Sequence, residues 1–251
     1  VLDAVKQTLK RKKLKAEIVQ VGCIGPCYME PLMDIRLPGE PRICYSNVTP
    51  DAAEKIIESL LIKGNPLAPL AVGHFGDNGH PLTEGIPKFF ETPMLKPQTR
   101  LVLRNCGLID PENIDHYLAN DGYQGLANAL KQKPEDVIEI VKEAGLRGRG
   151  GAGFPTWRKW EICRGVKADQ KYMICNVSEG DPGAFMNRAL IESDPHCVIE
   201  GLMIGSYAIG ASHGYVYINS DYYLAVARLK KAAEQMREYG LLGKNILGSD
   251  F

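Results

Sequence analysis

The run "GLRGRGGAGFPTWRKW", residues 145–160, places five glycines in nine positions and then turns aromatic and basic. A backbone so bare lets a ligand touch peptide groups directly. Amides that face one way form a concave cluster suited to an anion or to the polar edge of a flat ring. Arg147, Arg149, Arg158 and Lys159 add positive charge for a phosphate, and Phe154 offers a ring for stacking. Gly148, Gly150 and Gly153 satisfy G-x-G-x-x-G, yet two readings of that pattern fail. The dinucleotide fingerprint requires a strand directly before it, and "PEDVIEIVKEAG" has a helical period. The phosphate loop of nucleoside triphosphatases requires Lys and then Ser or Thr after the last glycine, where Phe154 and Pro155 stand. A tight inter-helix loop with solvated basic residues would explain the charges but not the glycines.

A second stretch, "YMICNVSEGDPGAF" (172–185), leaves a strand pattern for a polar loop bearing Asn176, Ser178, Glu179 and Asp181. Loops at the carboxyl ends of strands are where open α/β sheets bind ligands. Carboxylates there suit ribose hydroxyls and an amide suits a ring edge; read alone, the same loop is equally a surface turn. Cys23 and Cys27 form a C-x3-C loop, in which two thiolates can grip one iron, although a [2Fe–2S] cluster needs four ligands. Cys44 is a weaker third candidate, and a cluster-free docking domain is the alternative for this segment. Cys106, Cys163, Cys175 and Cys197 lie in apolar contexts and read as core thiols. The five histidines show no ligand spacing, and His196, after Pro195, reads as structural.

The elements that must position these groups follow from periodicity. An apolar stripe at Val1, Leu2, Val5, Leu9 and Leu14 predicts a helix, "AEIVQVGC" a strand running into Cys23, and "LMDIRL" and "RICYSNV" a hairpin across "PGEP". Thr49 and Pro50 open a helix that Gly64 stops. Residues 66–98 lack periodicity and read as a linker or surface arm. Beyond them come a strand "TRLVLRN", a helix from Asp110, and helices near 125–130, 134–146 and 156–165. A strand over 171–178 leads to the polar loop. Asp194 and Pro195 cap a long helix whose Gly201 and Gly205 allow close packing on a sheet, before a strand at 214–220 and a helix ending at Gly240. Strands alternating with helices predict an α/β layered domain.

Composition narrows the class. Of 251 residues, 45% are hydrophobic and 24% charged, as in an ordinary globular protein, and 30 basic residues balance 30 acidic ones. Nothing advertises nucleic acid or direct membrane insertion, since no apolar run approaches the roughly 20 residues of a span. Seven cysteines, an odd number, without a signal-peptide pattern suggest reduced thiols or metal ligands rather than disulfides, and a cytoplasmic location. The chain opens and closes mid-pattern and reads as a fragment.

Taken together, "RGRGGAGFPT", "EGDPGAF", "ESDPHCVIEG" and "GLLGKNILGS" resemble, in order, the signature segments of the family of NADH-binding flavoproteins shared by respiratory complex I and NAD-linked hydrogenases. "VLRNCGLIDPENIDHYLANDGY" is similar to the lead-in of the hydrogenase and bifurcating branch, and the segment around Cys23 to the later half of a thioredoxin-like ferredoxin domain. The resemblance implies a partial thioredoxin-like domain at 1–65, an arm at 66–98, and a Rossmann-like α/β domain for FMN and NADH at 99–251, incomplete at its C-terminus. It implies FMN and NAD(H) in one cavity, hydride passing from nicotinamide to flavin, and single electrons leaving through iron–sulfur clusters of partner redox subunits. By position, Gly150, Lys159, Asn176, Ser178 and Glu179 would face FMN. Gly151, Ala152, Gly153 and Phe154 would line the NADH side with Asp181 near the nucleotide, Gly148 and Arg149 would belong to the same bend, and Cys23 and Cys27 would hold metal. The [4Fe–4S] ligands of the family would lie outside this chain. No side chain acts as acid or base, because the protein supplies position and electrostatics. The family usually has Asp at Ser178, Gly at Trp157 and Asp at Asn187. Loss of a carboxylate beside the flavin makes its reduction easier, and Trp157 is expected to narrow the pocket. Those departures motivate an alternative, a scaffold or electron-relay subunit that keeps the fold without NADH oxidation; a phosphate-binding regulatory domain is a third reading.

Overall fold

Thr49 accepts a hydrogen bond from the Ala52 amide at 3.2 Å, and Pro50 takes the first helical position, where its missing N–H is no loss. That cap opens α2, Pro50–Ile57, in a computed structural model that describes residues 1–76 and 80–251. The helix widens by a turn over Glu58–Ile62 and is stopped by Gly64, whose φ of +66° suits only glycine readily. The chain divides into two compact units, one of residues 1–19 and 24–101, the other of 20–23 and 102–251.

In the first unit α1, Leu2–Lys12, packs on α2. β1, Met33–Ile35, and β2, Arg42–Tyr45, form the expected antiparallel hairpin, and β2 pairs on its other side with β3, Ala71–Phe75. Ile43, Tyr45, Val48, Ala53, Ile56 and Ile86 make the core, with the Tyr45 hydroxyl donating to the Pro66 carbonyl at 2.7 Å. Two expectations need correction. "AEIVQVGC" is not a strand: it pairs with no strand among the described residues, and Ile18, Val19 and Val21 stay 37–39% exposed. Apolar alternation alone does not hold an extended segment flat. Conversely, the aperiodic stretch 66–98 supplies β3, a five-residue strand too short to show its period; residues 77–79 of that stretch lie outside the described residues.

The second unit is built on α8, Pro195–Ile209. Around it pack α4, Gln124–Ala129, α5, Pro134–Glu143, α6, Thr156–Gly165, α7, Met186–Ser193, and α9, Tyr223–Glu238. β4, Tyr172–Val177, and β5, His213–Ile218, run parallel in register from Tyr172 opposite His213 to Val177 opposite Ile218, with α7 and α8 as the crossover. The α/β class expected is what the chain adopts. "TRLVLRN" folds as successive turns rather than a strand, leaving Leu101 and Val102 mostly exposed and no apolar face to bury. The helix expected from Asp110 begins later as α3, Ile114–Leu118. Asn113 caps it, taking the Asp115 amide at 2.9 Å, while Asp110 takes the Glu112 amide in a preceding turn. The polar loop read over 179–188 ends sooner, because Met186, Asn187 and Arg188 already belong to α7.

Asp194 caps α8 as its Asp-Pro sequence predicts, accepting the Cys197 amide at 3.2 Å and the Asn105 side-chain amide at 2.8 Å. Gly205 lets three elements meet, because a Cβ there would lie 2.5 Å from Met173 of β4 and 3.1 Å from Trp160 of α6. Gly201 does not share that role: it is exposed, with open space where a Cβ would stand. Buried Glu200 of α8 satisfies the start of α4 by accepting the amides of Tyr123 and Leu126, each at 2.9 Å, and the Tyr117 hydroxyl. Residues 20–23 join this unit through Gly22, where a Cβ would overlap Ser193, and through buried Arg228 of α9, which donates to the Glu192 and Gln20 carbonyls.

Candidate functional site

The bend begins where α5 ends. Gly145, at φ +64°, terminates the helix and donates to the Lys142 carbonyl, sending the chain out at Leu146. A narrow neck follows: the Gly148 amide donates to the Phe154 carbonyl at 2.8 Å and the Thr156 amide to the Leu146 carbonyl at 3.0 Å. Arg147 adds a third tie, Nε to the Gly153 carbonyl at 2.6 Å. Between the two sides of the neck lies an arch, residues 149–153. Its turns demand positive φ at Gly151 (+105°) and Gly153 (+58°). Gly148 and Gly150 have no such demand. A Cβ at Gly150 would meet nothing within 4 Å, and one at Gly148 only ordinary contact. Among the described residues no acceptor within the chain engages the amides of 149–153. Protein packing therefore does not account for the missing side chain at Gly150.

α6 starts directly beyond the neck, with Pro155 in the capping position and no side chain covering its first amides. Arg149, Arg158 and Lys159 are exposed beside it, and the Lys159 ammonium sits 5.8 Å from the centre of the half-exposed Phe154 ring. Trp157 is half-buried. It packs with Trp160 on Ala129, Val137, Ile138 and Ala208, and Lys142 covers its ring at 5.2 Å. Its bulk is spent on the core under α5, which corrects the expectation that it narrows the pocket.

β4 delivers the second group of residues. Asn176, near the carboxyl end of β4, is exposed and accepts the Ser178 amide at 2.9 Å, tightening the exit from the strand. Ser178 and Asp181 are exposed. Glu179 is half-buried, and its two oxygens accept the amides of Asn187 at 2.7 Å and Arg188 at 3.2 Å. It thus caps α7 and closes the loop between them, a structural task that its sequence context did not announce. A carboxylate has about four lone-pair directions, so this engagement leaves Glu179 capacity for a ligand hydroxyl. Arg147 is the other residue whose task escaped the sequence reading, because its partner is a backbone carbonyl.

Cys27 opens a single tight turn, Cys27–Met29, in the first unit; Cys23 ends the short segment 20–23 of the second. Cys44 does not serve as a third thiolate. It is buried on β2, and desolvation, reinforced by the neighbouring Asp34 carboxylate, pushes its thiol far above the usual range. An open depression of about 680 Å³ between α5 and the C-terminal ends of α6 and α8 is a poor rival for the site, since its cations are engaged. Arg164 holds Glu135 and the Ala208 carbonyl, and Lys171 holds the carbonyls of Arg164 and Ile209. No helix among the described residues is long and apolar enough to cross a membrane.

Residues 141–246 match the model of the Nuo51 FMN-binding domain, a span that covers the bend, the loop after β4 and α8. The chain is 61% identical over 156 residues to the NADP-reducing hydrogenase subunit HndC of Solidesulfovibrio fructosivorans, covering 62% of this chain and 32% of that one. It is 49% identical over 139 residues to a component of the NADH-quinone oxidoreductase of Aquifex aeolicus, covering 55% of this chain and 32% of that one. The chain thus spans about a third of the length of the curated relatives it matches. Among solved structures it is similar to one chain of an NAD+-reducing [NiFe]-hydrogenase in the H2-reduced state, at 20% identity and a TM-score of 0.45, covering 94% of this chain and 37% of that one. The resemblance to the family of NADH-binding flavoproteins is thereby shown, and it rests on residues 141–246, which match the Nuo51 FMN-binding domain.

Proposed function

We propose that the chain forms the FMN- and NADH-binding part of a flavoprotein that oxidises NADH, or reduces NAD+, within a larger redox complex. The observation that carries this reading is the arch at 149–153, where five amides have no acceptor in the described chain and Gly150 has no packing reason to lack a side chain. An isoalloxazine edge or a phosphate supplies the acceptors those amides lack. FMN, when bound, takes two electrons as a hydride and releases them singly. The chain's own residues bind and orient. Gly150 and Gly148 leave room at the peptide, Lys159 and Arg149 supply positive charge, and Asn176, Ser178 and Glu179 offer polar groups from the β4 loop. Phe154 with Gly151, Ala152, Gly153 and Asp181 forms the nucleotide side. In this reading Cys23 and Cys27 are the two thiolates that the chain contributes to an iron–sulfur centre, and partner redox subunits carry the electrons onward in the cytoplasm. Two thiolates fall short of the four that a [2Fe–2S] cluster requires, and buried Cys44 does not make up the difference.

Ferricyanide reduction tests the activity. With FMN-loaded protein, NADH is expected to bleach the flavin and ferricyanide to be reduced catalytically. Flavin that binds but stays oxidised under NADH would overturn the activity in favour of a scaffold or relay subunit, the reading that Ser178 motivates.

A further inference from the structure

We propose that Arg147 is a positioning residue that braces the neck of the arch and pre-organises its amides, and that it does not bind the flavin phosphate. This rests on the reading of the arch as the flavin site. Two backbone hydrogen bonds close the neck, Gly148 to Phe154 and Thr156 to Leu146, and among the described residues no third strand supports them. So short an antiparallel pair is marginal in water. The guanidinium adds a charge-assisted bond, Nε to the Gly153 carbonyl at 2.6 Å, at the point where the arch rejoins the neck. It also occupies the volume beneath Gly153: a Cβ there would lie 2.9 Å from Nη2. Gly153 is required by its φ of +58°, and a side chain there would also displace the guanidinium end of Arg147.

Charge near a phosphate site invites the opposite assignment, in which Arg147 grips the ligand. The side-chain contact that Arg147 makes favours the brace: its Nε is committed to the Gly153 carbonyl, and its Nη2 lies against Gly153, where the arch meets the neck. Arg149, carried on the arch itself, is the cation placed for an anion. With Arg147 in place, residues 149–153 hold one shape before any ligand arrives, so binding does not have to order them.

Arg147→Gln in the full chain tests this with two readouts. In the flavin-free protein, exchange of the Gly148 and Thr156 amides is expected to speed up roughly fivefold while the amides of α8 keep their rates. In titrations with FMN and with riboflavin, which lacks the phosphate, affinity is expected to fall by the same factor, about tenfold. Loss confined to FMN would make Arg147 a phosphate ligand and overturn the proposal, as would unchanged exchange at Gly148 and Thr156. If the unmodified chain takes up neither flavin, the flavin reading of the arch fails, and amide exchange alone decides whether Arg147 is the brace. Acceleration of α8 exchange in parallel would reduce the arginine to general stability and also overturn the proposal. Arg147→Lys, which restores a donor, guards against a folding failure of the first variant: recovery of neck protection supports the brace, and no recovery counts against it.

Discussion

At the scale of single residues, the bend shows how differently glycines of one run are required. Gly151 holds φ +105°, a conformation that costs an L side chain about 1–2 kcal/mol, whereas Gly150 is unconstrained and faces open space. Gly151→Ala is therefore expected to lower unfolding free energy by about that amount, and Gly150→Ala to change it by no more than about 0.5 kcal/mol, both read from urea denaturation. Equal losses in the two variants would mean that Gly150 is needed by the fold. The sequence made the bend itself legible, because five glycines in nine positions announce a turn without side chains. It hid the tasks of Arg147 and Glu179, since both act on backbone groups whose neighbours appear only after the neck and α7 have formed. Trp157 misled for the same reason: nothing in its local sequence says that it packs under Lys142.

Among elements, α8 organises the second unit, and its two glycines divide packing from exposure. Gly205 sits against Met173 and Trp160, while Gly201 meets nothing. Gly201→Ala is expected to stabilise the protein by about 0.5–1 kcal/mol through helix propensity, and Gly205→Val to destabilise it by about 1–3 kcal/mol through overpacking. Thermal or urea midpoints moving in the same direction in both variants would contradict this placement of the helix. The caps of α2 and α8 were readable because Thr-Pro and Asp-Pro satisfy helix starts by local chemistry. The strands expected at 16–23 and 99–105 did not form, and β3 was missed, because strand formation depends on a partner distant in sequence.

For the molecule as a whole, burial of ionisable groups links stability to pH. Burial holds the His196 ring neutral, with its pKa below the usual histidine value; the Gln235 hydrogen bond only partly offsets this. The Tyr123 hydroxyl donates to Nδ1 at 2.7 Å, so Nε2 carries the proton and donates to Gln235 at 3.2 Å. In the unfolded chain this ring takes up a proton near pH 6.5, while in the folded chain it resists until lower pH. The unfolded state thus binds more protons in that window, and stability is complete above about pH 6.5 and is lost as pH falls through it. Buried His74 of the first unit acts with the same sign. Asp194, its pKa raised by burial, acts with the opposite sign in the carboxylate range. Unfolding free energy is expected to be lower at about pH 5.5 than at about pH 7.5, and His196→Gln to shrink that difference without abolishing it. An unchanged difference would show that His196 does not titrate as its burial requires.

The central claim is that the arch at 149–153 and the loop after β4 hold FMN. Titration of FMN into the chain, followed by quenching of flavin fluorescence, tests it most directly. The account predicts saturable binding that weakens about tenfold or more, roughly 1.4 kcal/mol, in Gly150→Ala, with stability unchanged, and in Asn176→Ala, which also gives up the turn bond to Ser178. Absence of FMN binding, or binding indifferent to both substitutions, would contradict it.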